Sequence, residues 1–234
     1  MTYEITPVGY ILSPYKEKFA VPRQPGLAPS AIASIQLTGD ANNEDTVRGL
    51  SQFSHLWLLF LFDQNLEKGW TPTVRPPRLG GNDRVGVFAS RATFRPNGIG
   101  MSAVPFLGIR KEGSQVYIDV SSCDLVDGTP IVDIKPYIPY SDALPNAEGG
   151  YASSVPSTMH VQFSSAASQQ LASSDTGNYQ RKVITEVLAQ DPRPAYKKSK
   201  QDDKEYGVHL FDWNVRFKVS GQDIQVTSLE DFGE

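Results

Sequence analysis

The chain has 234 residues, with 22 Lys and Arg against 26 Asp and Glu and a formal charge of −4. Apolar residues make up 39% and charged residues 21%, an ordinary globular balance that excludes disorder as the main state. The longest apolar run, Leu56–Phe62, is far short of the roughly 20 residues that span a bilayer. No export signal is read at the start, and the single cysteine, Cys123, leaves no partner for an internal disulfide. The three histidines, His55, His160 and His209, are scattered, so no Cys/His zinc site is expected. These features predict a cytoplasmic protein with no membrane association.

In chain order, Ile5–Leu12 reads as a strand that stops at the Ser13-Pro14 turn. Residues 15–29 are irregular, rich in proline and too long for a simple connector. Ala33–Leu37 is a second strand, and Asn42 is placed to cap a helical turn ending near Gly49. The large apolar residues of His55–Phe62 predict a strand buried on both faces. Val85–Phe88, Met101–Ile109, Gln115–Ser121 and Ile131–Ile134 extend the series, with Gly113 at a hairpin. At least seven strands are expected, and closure into a barrel would remove their exposed edges. The Ser, Ala, Gly and Pro of residues 141–156 predict a linker. Beyond it come a strand at Thr158–Phe163 and helices at Ser164–Leu171 and Asn178–Gln190. Three strands, Tyr206–Leu210, Asn214–Val219 and Ile224–Leu229, complete a small α+β unit. The fold class is therefore mainly β, with a β-barrel domain over residues 1–150 and a small α+β domain over 156–234.

Charge is unevenly distributed. Arg75, Arg78, Arg84, Arg91 and Arg95 face one acid, Asp83, within residues 75–95, whereas residues 101–154 are acidic. Polyanion binding needs only a local positive field, because charges more than about 8–10 Å apart are screened at cellular salt. Arg75 and Arg78 flank Pro76-Pro77, which should hold the segment extended with both guanidinium groups outward. A second basic stretch runs from Asp191 to Lys200, and its Lys197–Lys200 part reads as a solvated surface.

Three segments concentrate polar residues in turns: Pro14 to Gly26, Gly86 to Ser102, and Asp124 to Tyr137. None is a phosphate loop, and the lack of regular crossover helices disfavours a dinucleotide fold. The ordered series Ser13-Pro14-Tyr15-Lys16-Glu17-Lys18-Phe19, Pro22-Arg23-Gln24, Phe53-Ser54-His55-Leu56-Trp57, Arg75-Pro76-Pro77-Arg78-Leu79-Gly80-Gly81-Asn82, Gly86-Val87-Phe88-Ala89-Ser90-Arg91, Arg95-Pro96-Asn97, Asp124-Leu125-Val126-Asp127-Gly128-Thr129-Pro130 and Gln190-Asp191-Pro192-Arg193-Pro194-Ala195-Tyr196 resembles the TrmO family, also called TsaA-like or YaeB-like. One departure is Gly98, where the family usually has a second proline.

The resemblance implies a single-sheeted β-barrel with a small C-terminal domain, working as a homodimer. It implies an S-adenosylmethionine-dependent methyltransferase acting on N6 of threonylcarbamoyladenosine at position 37 of a threonine tRNA. Cofactor contacts carried over by motif are Pro22, Arg23, Gln24, Asp63, Gln64, Arg91, Met101, Asp127, Gly128, Thr129 and Pro130. Candidates for the reacting side are Tyr15, Lys18, Arg95 and Asn97, with the base unassigned. The carbamoylated acceptor nitrogen is a poor nucleophile with an acidified proton, so a base or a cation near it should help. A non-catalytic RNA-binding barrel is the alternative. A hydrolase or lyase ranks last, since no Ser-His-Asp arrangement is recognisable.

Overall fold

The computed structural model describes residues 2–194, 197 and 202–232. Its strands are β1 (Gly9–Leu12), β2 (Ile32–Leu37), β3 (His55–Leu61), β4 (Thr73–Val74), β5 (Val85–Gly86), β6 (Ile99–Glu112), β7 (Gln115–Ser121), β8 (Pro130–Pro136), β9 (His160–Phe163), β10 (Asp202–Leu210), β11 (Trp213–Ser220) and β12 (Asp223–Asp231). The helices are α1 (Asp63–Leu66), α2 (Pro139–Asp142), α3 (Ser165–Ala172) and α4 (Gly177–Leu188). No helix among the described residues is long and apolar enough to cross a membrane.

Six antiparallel strands form a ring in the order β1-β2-β7-β6-β3-β8, and β8 returns to β1, so the sheet is closed. The inward residues are apolar at alternate positions, as the two-residue period of a strand requires. Leu56, Leu58 and Phe60 of β3 are buried, as are Val116, Ile118 and Val120 of β7. Full burial of each such side chain is worth about 1.5–3 kcal/mol. The outward residues of β3 are only half-buried. The expectation of burial on both faces is corrected: a single curved layer has solvent on its outside.

Register decides where the connections emerge. Tyr10 of β1 pairs with Pro130 of β8, Leu61 of β3 with Ile99 of β6, and Ile32 of β2 with Ser121 of β7. The ends of β1, β3 and β7 and the starts of β2, β6 and β8 therefore share one rim. The three long connections, residues 13–31, 62–98 and 122–129, all rise from it.

Several boundaries differ from the expectations. The Val85 strand leaves the ring for a two-stranded ribbon with β4, so the ring has six strands rather than seven. Asn43, not Asn42, caps a short 3-10 turn at Glu44–Val47, its side chain accepting from the Asp45 N–H. Asn42 Oδ1 instead accepts the Val116 N–H at 2.8 Å. Pro77–Leu79 is a 3-10 turn rather than an extended segment. The hairpin at Gly113 forms as read, with φ +60° there, joining Glu112 to Gln115.

Strands β10, β11, β12 and β9 make a second sheet, in which β9 runs parallel to β12. Val183, Ile184, Val187 and Leu188 bury one face of α4. The apolar core is continuous from the ring into this sheet. Polar contacts tie the second sheet and its helices to the 13–32 segment. The Lys16 N–H donates to the His209 carbonyl and the His209 N–H to Glu17. Glu186 accepts from both the N–H and the hydroxyl of Ser30, at 2.8 and 2.6 Å. The Gln190 amide donates to the Leu27 carbonyl at 3.0 Å.

Candidate functional site

Almost every residue singled out from the sequence lies on the three rim loops, and Met101 is the third residue of β6. Hydrogen bonds stitch these loops together. The Arg91 guanidinium donates to Gln24 Oε1. Lys18 Nζ donates to the Gln64 carbonyl at 3.0 Å and to Asn65 Oδ1 at 2.6 Å. Asp63 and Gln64 open α1 with exposed side chains. Met101, opposite Leu59 in the register, is 57% exposed. Arg23 is exposed and Gln24 half-buried, while Pro22 is buried.

The 127–130 turn is different. Asp127 Oδ1 accepts the Ser13 N–H at 2.8 Å, and Oδ2 pairs with Lys16 Nζ at 2.9 Å. The Thr129 hydroxyl donates to the Val126 carbonyl at 2.7 Å, and Thr129 is buried. The Gly128 N–H donates to the Ile11 carbonyl, and Pro130 is buried at the start of β8. These side chains lock β8 to the end of β1. Only the open space beside the Gly128 Cα, where an added Cβ would meet nothing within 4 Å, is left to face a ligand.

Tyr15 is removed from the reacting side. Its side chain has no exposed surface, its hydroxyl has no hydrogen-bond partner, and burial raises the phenol well above its ordinary range. A group sealed in the core cannot reach a substrate proton. Asp124, in the same motif as Asp127, was not among the candidates. Burial pushes its carboxyl up to about 6, against the opposing Ser102 hydrogen bond of 2.6 Å and the Arg91 charge. Sequence could not separate the two acids, because which one turns inward depends on the ring closure.

Two cavities flank the Lys18–Asn65 contact. The larger, about 200 Å³, lies between the 18–23 loop and residues 187–192 beyond α4. The smaller, about 90 Å³, is walled by Asn65, Trp70, Phe94, Arg95 and Asn97. Trp70 and Phe94 are 50% and 40% exposed. Arg95 also donates to the Ser90 carbonyl at 3.0 Å, bracing its own loop. Asn97 sits at φ +63°, a left-handed conformation that asparagine tolerates better than most residues.

Arg75, Arg78 and Arg84 are exposed on and around the β4–β5 ribbon. Arg78 donates to the Ser154 carbonyl at 2.6 Å, not to an acid. The 141–156 segment is held further by the Tyr151 hydroxyl, which donates to the Ala89 carbonyl. Arg193 is buried, its guanidinium donating to both carboxylate oxygens of Asp191 at 2.9 and 3.1 Å, so it offers no RNA-facing surface. Ala195, Tyr196, Lys198 and Lys200 of that stretch lie outside the described residues. Among the described residues no His/Cys/Asp/Glu group is placed to hold a metal.

Comparison with known proteins matches residues 10–143 to the tRNA-methyltransferase O N-terminal domain and residues 156–232 to the TrmO C-terminal domain. The chain belongs to the TrmO family. It is 52% identical over 98% of both chains to an Escherichia coli protein named tRNA (adenine(37)-N6)-methyltransferase. It is 46% identical, over 96% of both chains, to a Pseudomonas aeruginosa protein whose name describes an S-adenosylmethionine-dependent methyltransferase. The crystal structure of TrmO from Pseudomonas aeruginosa superposes with a TM-score of 0.80 at 39% identity, covering 98% of this chain and 99% of that one.

Gly98 shapes the loop that carries Asn97. Its φ is +61°, which a proline ring fixed near −65° cannot adopt. An added Cβ there would also run into the Leu66 side chain. The loop around Asn97 thus takes a path that a proline at position 98 would not allow.

Proposed function

We propose that this chain transfers a methyl group from S-adenosylmethionine to N6 of adenosine 37 in a threonine tRNA, on an acceptor that carries a threonylcarbamoyl group. The observation that carries this reading is the assembly of all three TrmO motif loops on one barrel rim, joined by the Arg91–Gln24 and Lys18–Gln64 contacts. We place the division of labour at residues 1–150, a catalytic barrel, and 156–234, an α+β brace. The working form is a homodimer in the cytoplasm, with the half-exposed apolar strip of Leu59, Leu61, Ile99 and Met101 as the candidate contact.

The residues present fit the cofactor. Polar groups at Gln24, Asp63, Gln64 and Arg91, the exposed Met101 side chain and the open Gly128 backbone suit an adenosine joined to a charged amino acid. When bound, S-adenosylmethionine supplies an electrophilic methyl on a sulfonium. The chain's part is positioning, since displacement at that carbon needs nucleophile and leaving group in line. Trp70 and Phe94 offer partly exposed rings on which an extruded purine can stack. Arg95 and Asn97 border the same cavity, and Lys18 reaches its wall through Asn65. Their charge and dipoles stabilise the anion that develops as the carbamoylated N6 loses its proton. Tyr15 takes no part, and Asp127 and Thr129 act by holding the turn.

The test is methyl transfer to threonylcarbamoylated tRNA compared with the same tRNA transcribed without modification. Activity on the first alone supports the reading, and equal activity on both overturns the acceptor assignment. tRNA binding without any methyl transfer, and with no rise in melting temperature on adding S-adenosylmethionine, would instead make the chain a non-catalytic RNA-binding module.

A further inference from the structure

The larger cavity lies on the seam between the 18–23 loop and the C-terminal unit, and its electrostatics are unbalanced. Lys18 and Arg23 both line it. Lys18 donates only to neutral acceptors, the Gln64 carbonyl and the Asn65 amide. Arg23 makes no ion pair among the described residues. Among the described residues the one acid in the wall, Asp191, is gripped by both arms of the Arg193 guanidinium. Arg23 keeps an exposed surface, yet part of it is withdrawn from water. That burial lowers its guanidinium, the Asp191 charge opposes, and nearby Arg78 adds to the lowering. Among the described residues, two cations thus border one cavity without a carboxylate of their own.

Backbone conformation singles out the same place. Among the described residues, five non-glycine residues have positive φ, and two of them, Ala20 at +68° and Asp191 at +49°, line this cavity. Alanine has no side-chain hydrogen bond to offset that conformation. Strain of this kind gathers at ligand sites because the surrounding structure holds it there.

We propose that the seam cavity is a binding site for a small carboxylate, held by Lys18 and Arg23. This deepens the reading above and rests on it for the identity of the ligand. Under that reading two reactants bring a carboxylate to the rim: the threonylcarbamoyl side chain of the acceptor and the amino-acid end of S-adenosylmethionine. A planar carboxylate suits the fork of Arg23, and the Lys18 ammonium adds a point charge. The C-terminal unit then has a functional role, because Val187, Gln190 and Pro192 form the opposite wall.

Calorimetry on the full chain tests this with two matched pairs of probes. The first is N-carbamoyl-L-threonine against its neutral methylamide. The second is S-adenosylmethionine against its decarboxylated form. The carboxylate member of one pair should bind about tenfold more tightly or better, the usual worth of a charge-assisted contact. That preference should vanish in Lys18→Met and Arg23→Met and return partly in Arg23→Lys. Preference within the first pair assigns the site to the acceptor, and within the second pair to the cofactor. No preference in either pair, or one that survives both methionine substitutions, overturns the proposal. The two readings fail separately. Methylation of modified tRNA with no carboxylate preference removes the site and keeps the function. Carboxylate preference without methylation does the reverse.

Discussion

The 127–130 turn and the 91–97 loop rise from the same rim, carry similar polar residues and belong to the same motif series, yet they use their polar groups in opposite ways. In the turn, every side-chain oxygen is engaged within the chain: Asp127 with Ser13 and Lys16, Thr129 with Val126. In the loop, Arg91, Arg95 and Asn97 face cavities or neighbouring loops and are only partly satisfied by their own segment. The turn joins two strands that must close the ring, so its polarity goes into closure. The loop spans a long connection with no ladder to complete, so its polarity is left for a ligand. Motif membership alone does not distinguish the two.

The largest effect expected from that contrast is on stability. Asp127→Ala removes the acceptor of the Ser13 N–H and the partner of Lys16, and should cost about 3 kcal/mol in urea unfolding, the upper range for a bond to a charged group. Arg91→Ala should cost little there and act on cofactor affinity. If Asp127→Ala unfolds like the parent chain but binds S-adenosylmethionine more weakly, the turn is a ligand site after all and the contrast breaks.

The next sharpens the role of Asp124. Its carboxyl sits at about 6 in the folded chain, raised by burial above its usual 3.8. Between those values the folded state holds a proton that the unfolded state releases, so stability falls as pH rises from about 4 to about 6 and is level beyond. At about 1.4 kcal/mol per unit the loss approaches 3 kcal/mol. Asp124→Asn, which keeps the Ser102 contact without the titration, should gain on the parent chain across that window by about 3 kcal/mol. A gap between the two that stays constant from pH 4 to 7 would show that Asp124 does not titrate there.

Smaller effects are expected on the open side of the rim. Trp70→Ala should weaken tRNA binding about tenfold, within the 1–3 kcal/mol that a stacked base contributes, and leave cofactor affinity unchanged. Unchanged tRNA affinity would move the acceptor base away from the smaller cavity. Smallest is the effect of the ribbon arginines. Arg75→Ala should flatten the slope of log affinity against log salt by roughly 0.7–0.9 for one lost phosphate contact. Arg78→Ala should do the same and also release the 141–156 segment. Slopes that do not move would make both arginines structural.

Much of this protein was legible in the chain itself. Alternation placed β7 at Gln115–Ser121 without error, the spacing of Val183, Ile184, Val187 and Leu188 gave the buried face of α4, and the ordered motifs gave the TrmO family. Each of these depends on neighbours close in sequence, on a period of two or of 3.6, or on a series no single turn could mimic. A closed sheet was among the expectations, but which residues close it was not legible, because the pairing of Tyr10 with Pro130 joins residues far apart in the chain. From closure follow the shared rim, the half-exposed outer face of β3, and the fates of Tyr15, Asp124 and Asp127. All three looked like exposed turn residues. Tyr15 went into the core, Asp124 into a buried contact with Ser102, and Asp127 into the lock between β1 and β8. Arg193, in the second basic stretch, was buried by its bidentate hold on Asp191. Charge and residue type set what each group can do. Burial and pairing across long chain separations decide what it does, and only the tertiary structure contains them.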